Sequence, residues 1–212
     1  MLDRVKAGRL ESGPKLTAPD PCTMTTSPAA APQRRVRKGT ADQLLQAAAA
    51  EFNEHGFQGT DTNRIARRAG FAPQTFYRWF DDKAEIFIKV YEAWQQQELG
   101  VVQKLLAENA ADAELARAFV AHHQAYLRFR RSLRQLSCDN DQIRAARAAS
   151  RLNQIAYLKT WRVAPQDDAE LAVTLLQLER LCDALAEGEL ADMGLDPGAA
   201  EARLAGLINR LR

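Results

Sequence analysis

The chain has 212 residues, and its sequence predicts an all-α fold: an N-terminal helix-turn-helix unit and a larger helical domain. Three observations support this. From residue 40 onward, apolar residues recur at three- and four-residue steps, which is the period of helices that bury one face. Glycine and proline fall between these periodic segments, where they end one helix or begin the next. Near the N-terminus, two short segments joined by a glycine are flanked by longer ones, the arrangement of a helix-turn-helix.

The N-terminal segment is predicted to be a disordered tail over residues 1–33, because it is rich in Pro, Ser, Thr and Gly and has no apolar period. Residues 1–38 carry eight Lys or Arg and only three Asp or Glu. The last five of them, "RRVRK", form a basic arm made by Arg34, Arg35, Arg37 and Lys38. Such an arm is either a solubilising tail or a segment that follows the minor groove of DNA.

The first predicted helix covers about Thr40–His55, where Leu44, Leu45, Ala48 and Phe52 lie on one stripe. Gly56 follows it as a residue that can take positive φ. The second helix is predicted from Thr62 to about Ala69. Asp61 is a suitable N-cap for it, and Gly70 ends it.

A third helix is predicted from Pro73 to about Trp79, because proline suits the first helical position. A fourth begins near Asp82–Lys83. On the third helix, Phe76 and Phe80 lie four residues apart and are expected to pack inward. The side chains between them are then free to meet base edges or phosphates: Gln74, Thr75 and Arg78. The third helix is therefore expected to be packed on one side and presented to a partner on the other.

These residues carry a resemblance to a known family. The stretch "TDTNRIARRAGFAPQTFYRWFDDKAEIF" (Thr60–Phe87) resembles the DNA-binding domain of TetR-type transcriptional regulators, and the similarity covers about residues 40–90. The matching positions are Ile65, Ala66, Ala69, Gly70, Thr75, Tyr77, Phe80 and Lys83. The resemblance implies a DNA-binding domain over residues 34–85 and an effector-binding and dimerisation domain over 86–212. It also implies a repressor that binds a palindromic operator as a dimer and is released by a small, mainly apolar or aromatic effector.

The resemblance implies which residues contact DNA. The base-reading candidates are Asn63, Gln74 and Arg78, since glutamine can pair with adenine and arginine with guanine. The phosphate candidates are Thr62, Thr75, Tyr77, Trp79 and Lys83. The sequence departs from the family pattern at Ala72, where a capping serine is common, and at Thr62 and Trp79. Arg64, Arg67 and Arg68 are interpreted as a solvated helix face.

The C-terminal part is predicted to be helical throughout. Its predicted helices cover 84–108, about Ala113–Leu136, shorter ones within about Asp141–Arg162, then Asp167–Glu187 and about Ala199–Leu211. In the fourth of these segments apolar residues alternate steps of four and three, a coiled-coil spacing: Leu171, Leu175, Leu178, Cys182 and Leu185. The segments about 167–187 and 199–211 are therefore expected to form a homodimer interface. The alternative is that both close the protomer's own core.

The middle helices carry the aromatic residues expected to form the effector pocket: Trp94, Phe119, His122, Tyr126, Phe129 and Trp161. Four of them, Phe119, His122, Tyr126 and Phe129, share one face by spacing. No metal site is expected, because adjacent histidines point apart on a helix. The arginines of "LRFRRSLRQ" are interpreted mainly as a solvated face, with an anionic ligand as the alternative.

Composition narrows the class of protein. The net charge is +2, and the three cysteines are too sparse for a disulfide framework or a zinc site. No apolar run is long enough to cross a bilayer, so a cytoplasmic protein without a membrane partner is expected. No cofactor is expected, and no nucleophile–base pair that would indicate an enzyme is recognisable. Besides a regulator, an architectural DNA-binding protein without an effector stays open.

Overall fold

The computed structural model describes residues 33–161 and 167–211, with side chains from residue 39 onward except that of Trp161. Within these ranges the fold is all-α. Its ten helices are α1 (Gln33–His55), α2 (Thr62–Arg68), α3 (Pro73–Phe76), α4 (Lys83–Ala107), α5 (Asp112–Ala125), α6 (Leu127–Asp139), α7 (Asp141–Trp161), α8 (Asp168–Glu187), α9 (Glu189–Asp192) and α10 (Gly198–Leu211). None of these helices is long and apolar enough to cross a membrane.

The first helix begins earlier than its apolar stripe predicts. It starts at Gln33, so the backbone of the basic run is helical and the prediction of a separate basic arm is wrong for these residues: Arg34, Arg35, Arg37 and Lys38. Arginine and lysine are good helix formers, and they carry the helix back almost to Pro32. The rest of the predicted disordered tail, residues 1–32, lies outside the described residues.

The helix-turn-helix caps agree with the sequence. The carboxylate of Asp61 accepts the backbone N–H of Arg64 at 2.8 Å, and Gly70 takes a φ of +79° after α2. The third helix is shorter than predicted: it ends at Phe76, and the N–H groups of Arg78 and Trp79 donate to carbonyls three residues back, in tight turns. Ala72 provides no side-chain cap for it.

The main core joins the first four helices to α6 and α7. Phe76 and Phe80 pack inward as predicted, and Ile65 lies beside them. The ring of Phe87 from α4 lies 5.0 Å from that of Phe52 and 4.9 Å from that of Phe129, so one aromatic cluster connects α1, α4 and α6. The orientation of the helix-turn-helix unit relative to the larger domain is therefore fixed by α6 as well as by α4.

Two of the predicted middle helices have different bounds. The helix expected over Ala113–Leu136 is interrupted at Tyr126, whose φ of −122° and ψ of 32° lie outside the helical region. The shorter helices expected within residues 141–162 are instead one 21-residue helix, α7. No glycine or proline interrupts its sequence.

A second core lies among α5, α8 and α10. Leu115, Leu178, Cys182, Leu204 and Leu207 are buried there within one protomer. This corrects the residues predicted for the dimer seam: Leu171, Leu178 and Cys182 face the protomer's own core. Both faces of α8 carry leucines, so the coiled-coil spacing could not tell which face is internal. Gly188, with a φ of +78°, ends α8 as predicted.

Candidate DNA interface and effector region

The three base-reading candidates are exposed to solvent. Asn63 lies in the first turn of α2, Gln74 lies on α3, and Arg78 lies in the turn that follows α3. The helices that carry them are held from the other side, because Ile65, Ala66 and Phe76 are fully buried. The arrangement can therefore present these side chains to a groove without moving the core.

The phosphate candidates divide into two groups. The hydroxyls of Thr62 and Tyr77 lie 3.0 Å apart and share a hydrogen bond that links α2 to the end of α3. Tyr77 is exposed, Thr75 is half-buried, and Trp79 is half-buried against the main core. Trp79 is thus mainly a packing residue, whereas the Thr62–Tyr77 pair can bind an anion at the surface.

Lys83 has a different environment from the one expected. Its ammonium group donates to the carbonyls of Phe57 and Thr60, each at 2.9 Å, and lies 4.0 Å from the centroid of the Phe57 ring. Burial lowers the pKa of Lys83. Two of its three N–H donors therefore hold the loop between α1 and α2, which leaves one donor for a phosphate.

Ion pairs brace α2 against α1, and sequence reasoning missed them. The buried carboxylate of Glu51 pairs with Arg64 Nε at 3.0 Å and with Arg68 Nη1 at 3.1 Å. Arg68 also binds Glu54, which raises the pKa of Arg68. Arg64 and Arg68 are partly exposed, at 40% and 34% of their side chains, so the interpretation as a solvated face misses only their ion pairs. Arg67 is exposed. The sequence did contain one indication of these ion pairs: Glu51 lies next to Phe52, on the stripe of α1 that is buried.

Three hydrogen bonds connect the C-terminal end of α1 to the corner between α5 and α6. Asn53 Nδ2 donates to the carbonyl of Ala125 at 2.7 Å. Arg128 donates to the carbonyl of Glu54 at 2.5 Å, and the backbone N–H of Phe57 donates to Ser132 Oγ at 3.0 Å. The break between α5 and α6 was not predicted from the sequence. It is a second place, besides the main core, where the larger domain contacts the helix-turn-helix unit.

Four of the effector candidates lie near the interface of α4 and α5, whereas Phe129 lies in the main core. Trp94 stacks on His122 with ring centroids 4.8 Å apart, and His122 and Phe119 line a narrow cleft between α4 and α5 that is too tight to hold a water molecule. Tyr126 is half-buried and its hydroxyl donates to Gln97 at 2.8 Å. Phe129 does not share their face: the helix break turns it into the main core. The side chain of Trp161 lies outside the described residues.

A buried network of charges lies next to Trp94. The guanidinium of Arg130 lies 4.7 Å from the Trp94 ring and binds both oxygens of Asp183, at 3.1 and 3.0 Å. His123 Nδ1 lies 2.8 Å from Asp183, and its Nε2 lies 3.4 Å from Glu98. Burial alone would raise the pKa of Asp183, but His123 and Arg130 lower it strongly.

This network corrects the interpretation of "LRFRRSLRQ" as a solvated face for Arg130 and Arg134, whereas Arg128 and Arg131 are exposed. Arg130 is fully buried, and Arg134 is only partly exposed and pairs with Asp183 at 2.8 Å. Their carboxylate partners lie some fifty residues further along the chain, where a local pattern gives no signal. Among the side chains the structure describes, no group of three or more His, Cys, Asp or Glu could hold a metal ion.

Comparisons with known proteins agree with this geometry. Residues 44–90 match the family model described as "Bacterial regulatory proteins, tetR family". A curated relative, the uncharacterized HTH-type transcriptional regulator YdgC of Bacillus subtilis strain 168, is 33% identical over 72 residues. That match spans 34% of this chain and 37% of the relative, so it covers little more than a third of the relative's length.

Solved structures share the fold over most of the chain. A TetR-family regulator from Rhodococcus superposes with a TM-score of 0.62 at 17% identity, covering 82% of this chain and 98% of its own. The fatty acid degradation regulator FadR from Bacillus halodurans gives 0.57 at 18%, covering 79% and 93%. FadR from Thermus thermophilus, solved with lauroyl-CoA, gives 0.56 at 19%, covering 81% and 92%. Residues 44–90 of this chain therefore carry a helix-turn-helix domain that matches the tetR family of bacterial regulatory proteins.

Proposed function

We propose that the protein is a transcriptional repressor that binds a palindromic operator as a dimer and is released by a small effector. One observation carries the proposal. Asn63, Gln74 and Arg78 are exposed on a helix-turn-helix whose opposite side is fully buried. Exposed polar side chains on such a fixed unit can read base edges in the major groove.

For the contacts with DNA, we propose two roles. Arg78 and Gln74 read bases, with Asn63 as a further contact. The Thr62–Tyr77 pair binds a phosphate, because hydroxyls donate to phosphate oxygens and fix register without reading sequence. Thr75, Trp79 and the third donor of Lys83 can add phosphate contacts. The basic run at the start of α1 adds positive charge that can attract the phosphate backbone.

For assembly, we propose that α8 and α10 form a homodimer through the faces that are exposed in one protomer. On α8, Val173 is 53% and Leu176 is 45% exposed. Leu176 also lines a groove between α8 and α10 together with Arg180 and Arg203. A symmetric pair of recognition helices about 34–36 Å apart fits successive major grooves, which is the mechanical reason for a dimer.

For the effector, we propose a mainly apolar or aromatic molecule that opens and enters the cleft between α4 and α5. Phe119 and His122 line the cleft, Trp94 stacks on His122, and the Tyr126 ring lies 5.3 Å from that of His122 at a tilt of 58°. Trp94 is 3% exposed, and its indole N–H has no acceptor among the described residues. This donor can be satisfied by an acceptor atom of the effector.

The test is selection of binding sites from random duplex DNA by the full chain, followed by footprinting. We expect one or a few palindromic sites, each with two half-sites separated by about one helical turn. Uniform protection of DNA without a selected site would instead indicate an architectural DNA-binding protein.

A further inference from the structure

Two arginines of α7 point into the larger domain. Arg147 and Arg151 lie four residues apart, so they share one face of the helix. Arg147 Nη2 lies 2.5 Å from one oxygen of Glu179 on α8, and Arg151 Nη2 lies 2.6 Å from the other. Arg130 Nη2 also reaches Glu179, at 2.8 Å. One carboxylate therefore receives three guanidinium groups.

The charges at this point do not cancel. Asp183 binds Arg130 through both oxygens, which leaves Glu179 as the counter-ion of both Arg147 and Arg151. Burial would raise the pKa of Glu179, but Arg130, Arg147 and Arg151 lower it to about 2. Arg134 and His123 share Asp183 with Arg130, and each contacts a second carboxylate, Glu187 or Glu98. Arg131 pairs with Glu187.

Both arginines also have a buried donor that is not used. The Nε–H groups of Arg147 and Arg151 are buried and have no acceptor among the described residues. The side chains themselves are 12% and 28% exposed, so a small shift of each side chain is needed to bring its buried Nε–H into contact with a group from solvent. A polar group from α6 lies beside Arg147, since Ser137 Oγ accepts from Arg147 Nη1 at 3.2 Å.

We propose that Arg147 and Arg151 form a binding site for the anionic group of a ligand, a carboxylate or a phosphate, with Glu179 as the resident counter-ion. A guanidinium binds such a group through two parallel N–H donors, and Nε–H is one of the two on its edge. An added anion would use the two free donors and balance the excess positive charge. The assignment of this anion as the acid group of the effector rests on the proposed function. Such an effector would be an amphiphile, with one apolar part and one acid group.

The first experiment measures anion binding by the full chain in the absence of DNA. Thermal unfolding is followed while inorganic phosphate replaces chloride at constant ionic strength. We expect saturable stabilisation of the wild type, with half-saturation shifted at least about tenfold upward in Arg147→Gln and Arg151→Gln. Arg144→Gln is the matched control, because Arg144 lies on the same helix but is exposed and pairs with Asp141. It should behave like the wild type.

A second variant tests the role of the resident carboxylate. Glu179→Gln removes the group that competes for the two guanidiniums, so half-saturation by phosphate should fall at least about tenfold. Equal responses of the wild type, both arginine variants and Glu179→Gln would overturn the proposal. So would the absence of saturable stabilisation in both the wild type and Glu179→Gln.

A third experiment separates the anion site from the proposed effector function. Naphthoate, naphthyl phosphate and the neutral naphthamide are titrated by calorimetry into the free protein and into its operator complex. Preference for the two anions over naphthamide, lost in Arg151→Gln, supports the site, and the stronger anion identifies the acid group. An anion that binds in this way but leaves operator affinity unchanged supports the site and refutes its role in release.

Discussion

The two adjacent histidines of α5 respond oppositely to their surroundings. His122 lines the cleft and stacks on Trp94, and burial lowers its pKa. Burial also acts against the charged form of His123, but Asp183 and Glu98 accept its hydrogen bonds and raise its pKa. The surroundings therefore favour the neutral form of His122, whereas they favour the cationic form of His123, which links α4 to α8.

This difference predicts opposite effects of pH on stability. A raised pKa in the folded state means that the contribution of His123 is full below about pH 6.5, the unfolded value, and is lost as pH rises through the folded pKa. The lowered pKa of His122 means that its cost appears as pH falls below about 6.5. Urea unfolding between about pH 5 and 9 should show a weaker alkaline decline in His123→Gln and a weaker acid decline in His122→Gln. The same pH profile in both variants would contradict the assignment.

Substitutions at Arg78 and Lys83 should have different effects on DNA binding and stability. Arg78 is exposed, whereas Lys83 holds the loop between α1 and α2. Arg78→Ala should weaken binding to the selected operator by about 1–3 kcal/mol and relax preference at one base position, with little change in stability. Binding measured against a panel of single-base operator variants checks this. Arg117→Ala, an exposed arginine of α5, should leave both properties unchanged.

Lys83→Ala leaves the carbonyls of Phe57 and Thr60 without their donor, and Thr60 is buried. It should lower the free energy of unfolding by about 1–3 kcal/mol and weaken binding to all DNA sequences alike. Lys89→Ala, on the same helix and exposed, should change stability by less than about 0.5 kcal/mol. Urea unfolding curves of the two variants decide the point. Equal stabilities would mean that the loop does not depend on Lys83.

At the scale of elements, α8 has two apolar faces with different partners. Leu178 is 8% exposed and packs against α5 and α10 of its own protomer, whereas Leu176 lies on the open side. Leu176→Glu should therefore give a folded, helical monomer that no longer binds its operator at nanomolar concentrations. Leu178→Glu should instead lower the free energy of unfolding by several kcal/mol, because it buries an unpaired charge. Sedimentation and circular dichroism measure both outcomes. A Leu176→Glu protein that stays dimeric would exclude this face as the interface.

The same helices show what could be predicted from sequence. Local chemistry was sufficient where a cap or a glycine decides the structure, as at Asp61, Gly70 and Gly188. It was insufficient where the deciding partner is distant. The burial of Arg130 depends on Asp183, 53 residues away, and the inward face of α8 depends on α5 and α10. The helix break at Tyr126 has no glycine or proline to mark it.

In the molecule as a whole, α6 belongs to both halves. On one side it contacts the DNA-binding unit, through Phe129 in the main core and through Ser132, whose hydroxyl accepts the N–H of Phe57. On the other side, Arg130 and Arg134 bind Asp183 of α8. A rearrangement around Trp94 that shifts the backbone at Arg130 would therefore also shift the contacts of α6 with the end of α1.

The last prediction follows from this shared helix. An effector that prefers a dimer with unsuitable spacing should weaken operator binding by about 1–3 kcal/mol, roughly 5–150-fold, and operator DNA should weaken effector binding by the same factor. Removing the contacts of α1 with the α5–α6 corner in Asn53→Ala/Ser132→Ala should reduce this coupling by about 0.5–2 kcal/mol. Affinity of the free protein for the effector should change little, because neither residue lines the cleft.

The measurement is a titration of a compound found by thermal-shift screening into free and operator-bound protein. Gln135→Ala is the control, since Gln135 is an exposed residue of the same helix. Wild-type coupling in the double variant would mean that α4 alone carries the change, because α4 is the other helix that runs from the DNA-binding unit to Trp94. Equal effector affinity for free and operator-bound wild type would show that the compound occupies the cleft without acting on DNA binding. The titration must therefore first show that effector and operator weaken each other's binding by the same factor. Only then can the variants tell whether α4 or α6 carries the coupling.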